Sequence, residues 1–409
     1  MSKDPVVAID VGTSKVCCVM GNMDDGTVQI RGFGQNPSNG MHKGLVVNID
    51  EAKEAIRQSV KAAEHSSGLP VRSVVVGITG RHVHSFNTKG TVSTTRSDRL
   101  VTPSDLERAM ESAGSIEVPP DSQILHTIPQ RYALDGQTKI KTPTGMHGMK
   151  VDVDTHIVTA AVASVQNLLK CVEGAGTKVA DIILEPFASS EAVLTPDERE
   201  AGVVLADIGA GTTDITVFRE GSIIHSAAIP VAGYQITRDI AIGLGIPFEV
   251  AEEVKKKYGR VIMDDSDMER AEEEINVAPG QNILFKDLVE IIRARVEETL
   301  RLVLLELPRF NYKSIVPAGF VLTGGSSNLL GIDALGRDIF KLSARVGQPR
   351  KCFGIGDDML TNPAYATALG LLLWAEHHKE GEGMPKKGVF SGFGKALKGF
   401  WFRFKKLFR

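Results

Sequence analysis

"VVAIDVGTSKVCCVM" (residues 6–20) is an apolar, β-branched run that ends in Asp10, an aliphatic residue and Gly12. Two small hydroxyl residues, Thr13 and Ser14, follow, and then a second apolar run. Runs of this kind read as strands, and the Gly with its polar neighbours reads as the turn between them. The pattern returns as "VVLADIGAGTTDITVF" (203–218), with Asp207 lying 197 residues after Asp10. Each copy continues into a further turn and strand, "DDGTVQIRGFG" after the first and "REGSIIHSAAIPVAG" after the second. The DG and EG pairs read as hairpin turns. The chain is therefore expected to consist of two similar α/β halves, each opening with an antiparallel meander.

The turn residues suggest a chemistry. A Gly just after a strand-end Asp lets backbone N–H groups approach a ligand closely. The hydroxyls of Thr13, Ser14, Thr212 and Thr213 can donate to phosphate oxygens, and Lys15 can neutralise charge. Asp10 and Asp207 would repel a phosphate directly, but they suit a hydrated Mg2+ lying between them and the phosphates. Two such loops, with Gly12 in one and Gly209 and Gly211 in the other, would clamp a polyphosphate from both sides; two ordinary Gly-rich hairpins are the alternative. "FVLTGGSSNLLGI" (320–332) adds an apolar strand, a Gly-Gly turn and a predicted helix start. Gly324 and Gly325 would let a ribose or purine lie flat there. No GxxxxGK[ST] and no complete GxGxxG occurs, so P-loop and Rossmann readings fail. "EPFASSEAVL" (185–194) and "NPAYATALGLLL" (362–373) carry small residues at close spacing, and helices of that kind can cross with little separation, as a hinge between two halves requires.

Size and composition agree with this. A chain of 409 residues predicts at least two domains, and 42% hydrophobic with 24% charged residues is a folded composition. The opening "MSKDPVVAIDVG" is too short in its apolar part to be a secretory signal, and no run reaches a membrane span. Cys17, Cys18, Cys171 and Cys352 lack metal-site spacing and are expected to be reduced thiols. Residues 391–409 hold six basic side chains and no acidic one, leaving 41 basic against 50 acidic elsewhere. An acidic body is a poor nucleic-acid binder, and no nucleic-acid partner is expected.

Two phosphate loops, an "LTGGSS" loop and two connecting helices, in this order, resemble the actin, Hsp70 and sugar-kinase superfamily. Within it the chain is similar to the FtsA family of bacterial cell-division proteins, through stretches such as "KGLVVNIDEA", "GITGRHVHSFNTKG", "ILHTIPQRYALDGQ" and "NPAYATALGLLLWAE". The resemblance implies an α/β, actin-like (ribonuclease H-like) duplicated fold. In it, residues 1–80 with 161–195 and 361–375 form the first large subdomain, and 81–160 the family's own insert. Residues 196–226 with 306–360 form the second large subdomain, 227–305 a small one, 376–388 a flexible linker and 389–409 an amphipathic helix. It implies ATP and Mg2+ as ligands: phosphate contacts at Gly12, Thr13, Ser14, Lys15, Gly209, Gly211, Thr212 and Thr213, the Mg2+-water role at Asp10 and Asp207, and ribose and base contacts at Gly324, Gly325 and Ser326. Gly233 would let the backbone pass near the nucleotide. Glu252 and Lys255 match an adenosine-contacting ExxK pair, or else are a solvated helix face. Glu185 matches the position that orients water in hydrolysing relatives, or else is a structural residue near the hinge, and turnover is expected to be slow or absent. The implied partners are FtsZ through 227–305, with Arg295 and Glu298 as candidates, further copies of the chain in an actin-like polymer, and later divisome membrane proteins.

The end of the chain supports such a role. On a helical wheel, Phe393, Leu397, Phe400, Trp401, Phe404, Leu407 and Phe408 share one arc, while Lys395, Lys398, Arg403, Lys405, Lys406 and Arg409 lie outside it, and only Phe402 breaks the division. A short, cationic, aromatic helix of this kind lies in the interface of an anionic phospholipid membrane rather than spanning it. The polar 376–388 segment, interrupted by Pro385, would tether it within about 45 Å of the body. The expected place is the cytoplasmic face of the bacterial inner membrane at the division site. A small-molecule kinase or a pilus-type actin-like adaptor of the same superfamily is the alternative, and the kinase would leave the cationic tail without a purpose.

Overall fold

The computed structural model describes residues 5–24, 27–263, 272–278, 281–308, 312–350, 352–355 and 360–380. The amphipathic tail at 389–409, and residues 381–388 of the proposed linker, lie outside the described residues.

One unit comprises Met1–His84 and Ala160–Glu376. Its first sheet begins as the sequence pattern requires. Strand Val6–Val11 turns back into Lys15–Asp24, which turns back into Thr27–Pro37, all antiparallel. Ser73–Ile78 then joins Val6–Val11 in parallel, and Lys178–Leu184 joins Ser73–Ile78 in parallel. The second sheet repeats this order. Val203–Ile208, Thr213–Arg219 and Ser222–Ile229 form the meander. Phe320–Thr323 pairs in parallel with Val203–Ile208, and Ala344–Val346 with Phe320–Thr323. The register itself is duplicated. Asp10 pairs with Cys17 and Val11 with Val16, while Asp207 pairs with Asp214 and Ile208 with Thr213. The 197-residue offset seen between the aspartates therefore holds for their partners on the return strands as well. This is the duplicated α/β arrangement of an actin-like fold.

The central strands are buried along their length because helices cover the sheets and no face is left for water. Helix Ile49–Ser67 lies on the first sheet, its start fixed by Asn48, whose side chain accepts from the backbone N–H groups of Asp50 and Glu51. Helix Phe285–Glu306 buries Leu288, Ile292, Val296, Leu300 and Val303, a row at helical spacing, in the core under the second sheet. The two connecting helices both follow strands of the first sheet: Glu185–Val193 follows Lys178–Leu184, and Ala366–Glu380 comes after Cys352–Gly354, a short strand that pairs in parallel with Thr27–Pro37. They cross as closely as their small residues allow: a Cβ on Gly370 would stand 1.9 Å from the Ala188 carbonyl oxygen.

The Gly-Gly segment departs from expectation. It opens a single 3-10 turn, Gly325–Asn328, and the α-helix Ile332–Phe340 starts only after Gly331. Gly324 takes a left-handed φ of 85°, and a Cβ there would lie 2.3 Å from an Asp207 carboxylate oxygen, so the chain can turn at this point only without a side chain.

The second unit is built on Ser85–Thr159. Its four-stranded sheet takes the order Val83–Ser93, Lys150–Ala161, Ser122–Leu134, Gln137–Ile140. Asp135 and Gly136, both left-handed, make the tight turn between Ser122–Leu134 and Gln137–Ile140. Helix Pro103–Gly114 packs Leu106, Ala109, Met110 and Ala113 onto this sheet and is closed by a capping box between Thr102 and Asp105. Asp105 is fully buried and accepts from Thr95, Thr102 and Arg108, so its charge is satisfied. Among the described residues no helix is long and apolar enough to cross a membrane.

Candidate functional site

The duplicated hairpins face one another within the first unit and bound a cavity of about 660 Å³. Both loops, the Gly324–Ser326 turn and the connecting helices line it. Gly12, Thr13, Ser14, Lys15, Gly209, Gly211, Thr212, Gly233, Glu252, Lys255, Gly324, Gly325 and Ser326 all lie on its wall, together with Asp10, Asp207 and Glu185. Thr213 does not. Successive strand residues point to opposite faces, so while Thr212 reaches Asp214 at 3.1 Å, the Thr213 hydroxyl turns away and donates to the Val231 carbonyl at 2.7 Å.

Four carboxylates, Asp10, Glu185, Asp207 and Asp214, are each more than nine-tenths buried here. Asp207 is held from both connecting helices: Ser189 and Thr367 donate to it, Thr367 at 2.9 Å, and those two hydroxyls lie 3.1 Å apart. Asp214 accepts from Thr79 and Thr212. Burial pushes Asp10 up to about 6, against the pull of Lys15. It pushes Asp214 up to about 7, with Asp207 adding to the effect. Glu185 rises well above the carboxylate range through burial and then through Asp10, Asp214 and Asp207. Burial raises Asp207 too, while its hydrogen bonds to Ser189 and Thr367 oppose the shift. A site that holds four acids in this way favours an added cation.

The positive side is smaller. Burial lowers Lys15, whose amine sits 3.4 Å over the Tyr365 ring. Tyr365 is fixed by its hydroxyl on Gln35 at 2.9 Å and by the edge of Phe33. Lys255 donates to the Gly233 carbonyl at 3.2 Å and to Thr237 at 2.7 Å, and pairs with Glu252 at 2.6 Å. Burial works to raise Glu252, but Lys255 beside it holds it low. The pair is thus a partly buried wall of the cavity and not a solvated face. Ser326 donates to the Gly209 carbonyl at 2.9 Å, joining the Gly-Gly turn to the second loop.

Asp214, Thr79, Tyr365, Asn362 and Gln35 are lining residues that the sequence reading did not single out. The signal for Asp214 was present, because it is the 197-residue counterpart of Cys17. Arg295 and Glu298 lie away from the cavity, on helix Phe285–Glu306, where Arg295 is paired with Asp239 and Glu298. All four cysteines are free thiols.

Comparison with known proteins extends over most of the chain. Residues 204–370 match the model of cell division protein FtsA, and residues 80–159 that of the SHS2 domain inserted in FtsA. The chain is 40% identical to cell division protein FtsA of Pseudomonas aeruginosa, over 93% of this chain and 91% of that one. It is 35% identical to the Bacillus subtilis protein of the same name, over 94% and 87%, and 35% identical to the Escherichia coli one, over 96% of both. In fold it is similar to a chain of the PilM-PilN type IV pilus biogenesis complex, with a TM-score of 0.66 at 19% identity over 90% of this chain and 98% of that one. MreB5 of Spiroplasma citri bound to ADP gives a TM-score of 0.57 at 13% identity, over 92% and 98%. With relatives this similar across nearly its whole length, and with the duplicated sheets and facing loops described above, the chain belongs to the FtsA family of actin-like cell-division proteins.

Proposed function

We propose that the cavity binds ATP with Mg2+, and that the chain is a nucleotide-dependent adaptor which attaches the FtsZ ring to the cytoplasmic face of the membrane, self-assembles and recruits later divisome proteins. The observation that carries the nucleotide reading is the pair of register-matched loops around one cavity of about 660 Å³, with buried carboxylates behind them. The fold neighbour MreB5 with ADP bound supports the same ligand class. The backbone N–H groups of both loops, the hydroxyls of Thr13, Ser14 and Thr212, and Lys15 would hold the phosphates. Gly324, Gly325, Ser326, Gly233, Glu252 and Lys255 would hold the nucleoside.

The donor set suits Mg2+ held through water. Asp10 and Asp207 are buried oxygen donors, and no group of three or more direct ligands occurs among the described residues. The ion would supply neutralisation of phosphate charge. This chain's own contribution is to hold Asp207 between Ser189 and Thr367, so that the nucleotide site is tied to both connecting helices. Glu185 lines the cavity as a buried carboxyl that burial, and then Asp10, Asp214 and Asp207, push well above the usual carboxylate range, and it would orient water rather than act as a strong base, in keeping with slow turnover.

Residues 81–160 would serve self-association and recruitment of later divisome proteins, and residues 227–305 would meet FtsZ. In the latter, helix Phe285–Glu306 shows Arg295 and Glu298 beside the Arg301–Glu297 pair. Membrane attachment rests on the apolar, aromatic arc of 393–409 and the basic side chains outside it. Each basic side chain near an anionic leaflet contributes about 1 kcal/mol, so one tail binds reversibly and a polymer binds by avidity.

The test is co-sedimentation with anionic liposomes, with and without Mg–ATP, comparing the full chain with one ending at Gly388. The full chain alone should pellet with lipid, and more so with ATP. Equal pelleting of both chains would overturn the anchor, and pelleting unaffected by ATP would overturn the coupling of cleft to assembly.

A further inference from the structure

The short hairpin Met41–His42 and Leu45–Val46 belongs to neither large sheet. Its root is firm. The N–H groups of Val47 and Asn48 both donate to the Gly40 carbonyl, at 2.8 and 3.1 Å, and Asn48 caps the helix Ile49–Ser67. Its tip is Lys43-Gly44, with φ of 48° and 74°. Two left-handed residues in a two-residue loop make a turn of the I′ kind. A left-handed lysine is disfavoured and persists where surrounding contacts hold it.

Those contacts lie on the phosphate loops. The Gly44 N–H donates to the Thr13 hydroxyl of the first loop at 3.3 Å. On the second loop, the space a Cβ of Gly211 would occupy is 2.3 Å from that same hydroxyl and 2.9 Å from the Lys43 Cα. Three backbone segments thus meet with no room for a methyl group. Beside the tip, the His42 ring meets Tyr234 edge-on at 5.7 Å, and Tyr234 packs on Phe248 at 5.0 Å. Tyr234 in turn donates its N–H to Ala210 of the second loop at 2.7 Å. One hairpin therefore touches the first loop, the second loop and the first turn of helix Gly233–Leu244.

We infer that this hairpin is a strap that reads the terminal phosphate of a nucleoside triphosphate and reports it to helix Gly233–Leu244, which makes Gly44 a specificity-determining residue of the cleft. The inference rests on the nucleotide reading above. Gly44 lines the cavity along with Thr79 and Glu185, and its N–H makes only a long bond to a neutral hydroxyl. A charged phosphate oxygen is the stronger acceptor and would take that donor. Thr13 would be released to the same phosphate, and the tip would be drawn onto Gly211. A diphosphate, shorter by one group, leaves the strap where it is. His42 and Tyr234 then carry the difference to the helix.

The experiment uses the full chain and titration calorimetry with Mg-bound ADP and a non-hydrolysable ATP analogue. A Cβ on Gly44 would meet the Thr79 carbonyl at 3.0 Å and the Gly80 Cα at 3.1 Å, so Gly44→Ala displaces the tip. The variant should lose about tenfold in triphosphate affinity, the worth of one hydrogen bond to a charged group, with ADP affinity unchanged. Lys43→Gly, which keeps the left-handed turn, should retain the preference. Hydrogen exchange supplies the second readout: the triphosphate should slow exchange across 233–244 in the parent chain more than ADP does, and His42→Ala should erase that difference while both ligands still bind. If Gly44→Ala folds and keeps the full triphosphate preference, or if His42→Ala leaves the exchange difference intact, the strap is refuted while the nucleotide reading stands. A parent chain that binds neither nucleotide would overturn the nucleotide reading and the strap with it.

Discussion

The two hairpin loops have one register and opposite chemistry. Along the 197-residue offset the backbone repeats, as do Asp10 with Asp207 and Gly12 with Gly209, but other side chains differ. Lys15 in the first loop is matched by Thr212 in the second, and Cys17 on the first return strand by Asp214 on the second. The first loop therefore carries a cation, whose amine rests on an aromatic ring. The second carries an acid, held by Thr79 and Thr212. Backbone geometry alone would have made two equivalent phosphate cradles. The difference shows that duplication set the frame and that single positions divided the labour: attraction of an anion on one side, attraction of a cation on the other.

The most severe way to break this comparison is to make the first half acidic like the second. Cys17 is fully buried beside Asp10, and its thiol is pushed well above its ordinary range by burial and by Asp10. Cys17→Asp adds a buried carboxylate beside Asp10, where among the described residues no hydroxyl bonds the side chain as Thr79 and Thr212 bond Asp214. It should destabilise the chain by about 3–5 kcal/mol in urea unfolding. A cost under about 1 kcal/mol would show that positions 17 and 214 are not environmental counterparts.

The reverse change has a smaller effect and the opposite sign. Asp214 binds its proton more tightly in the folded chain, at about 7 against an ordinary 3.8. The sign follows from linkage. Its contribution to stability is complete below about pH 4 and is lost as pH rises through about 7. Asp214→Asn keeps an acceptor for one of the two hydroxyls, lets its amide donate to the other, and removes the charge, so in the absence of ligand it should raise stability by about 2 kcal/mol at pH 8 and by almost nothing at pH 4. The same variant should weaken binding of Mg–ATP, as expected of a group kept at a stability cost for a site. A gain equal at both pH values would mean that charge is not its cause.

The frame of this comparison could be read from the sequence, and its asymmetry could not. Strand patterning, Asp-x-Gly and the 197-residue offset disclosed two halves and most of the cavity wall, because repeated backbone geometry demands repeated small and β-branched residues. Asp214 looked like an ordinary strand residue, since nothing local says which face a strand position shows until its register is fixed. The Thr213 hydroxyl reads as a phosphate donor from its place in the turn motif, but the alternation of the strand turns it toward Val231. Tyr365 read as a helix residue, and its place over Lys15 depends on a contact between segments 350 residues apart. The strap was hidden for a similar reason: "MHKGLV" shows a plausible turn, but only the fold brings it onto Thr13 and Gly211. Element order is local information, whereas the partners of a buried charge are not.

The smallest effect concerns the cation itself. If the first loop carries Lys15 for an anion, that amine needs a place to rest when no anion is bound, and the face of Tyr365 at 3.4 Å is that place. Tyr365→Leu removes both the ring and the hydroxyl bond to Gln35, and it should lower ligand-free stability by about 1 kcal/mol. Tyr365→Phe keeps the ring and loses only the hydrogen bond to a partly exposed partner, so it should cost about 0.5 kcal/mol. If the amine leaves the ring for a phosphate, Tyr365→Leu should also cost less in the Mg–ATP complex than in the free chain. The pair of variants separates the two contacts. If Leu and Phe cost the same, the ring contributes nothing, and Lys15 is placed by its loop alone, as Thr212 is placed by the other.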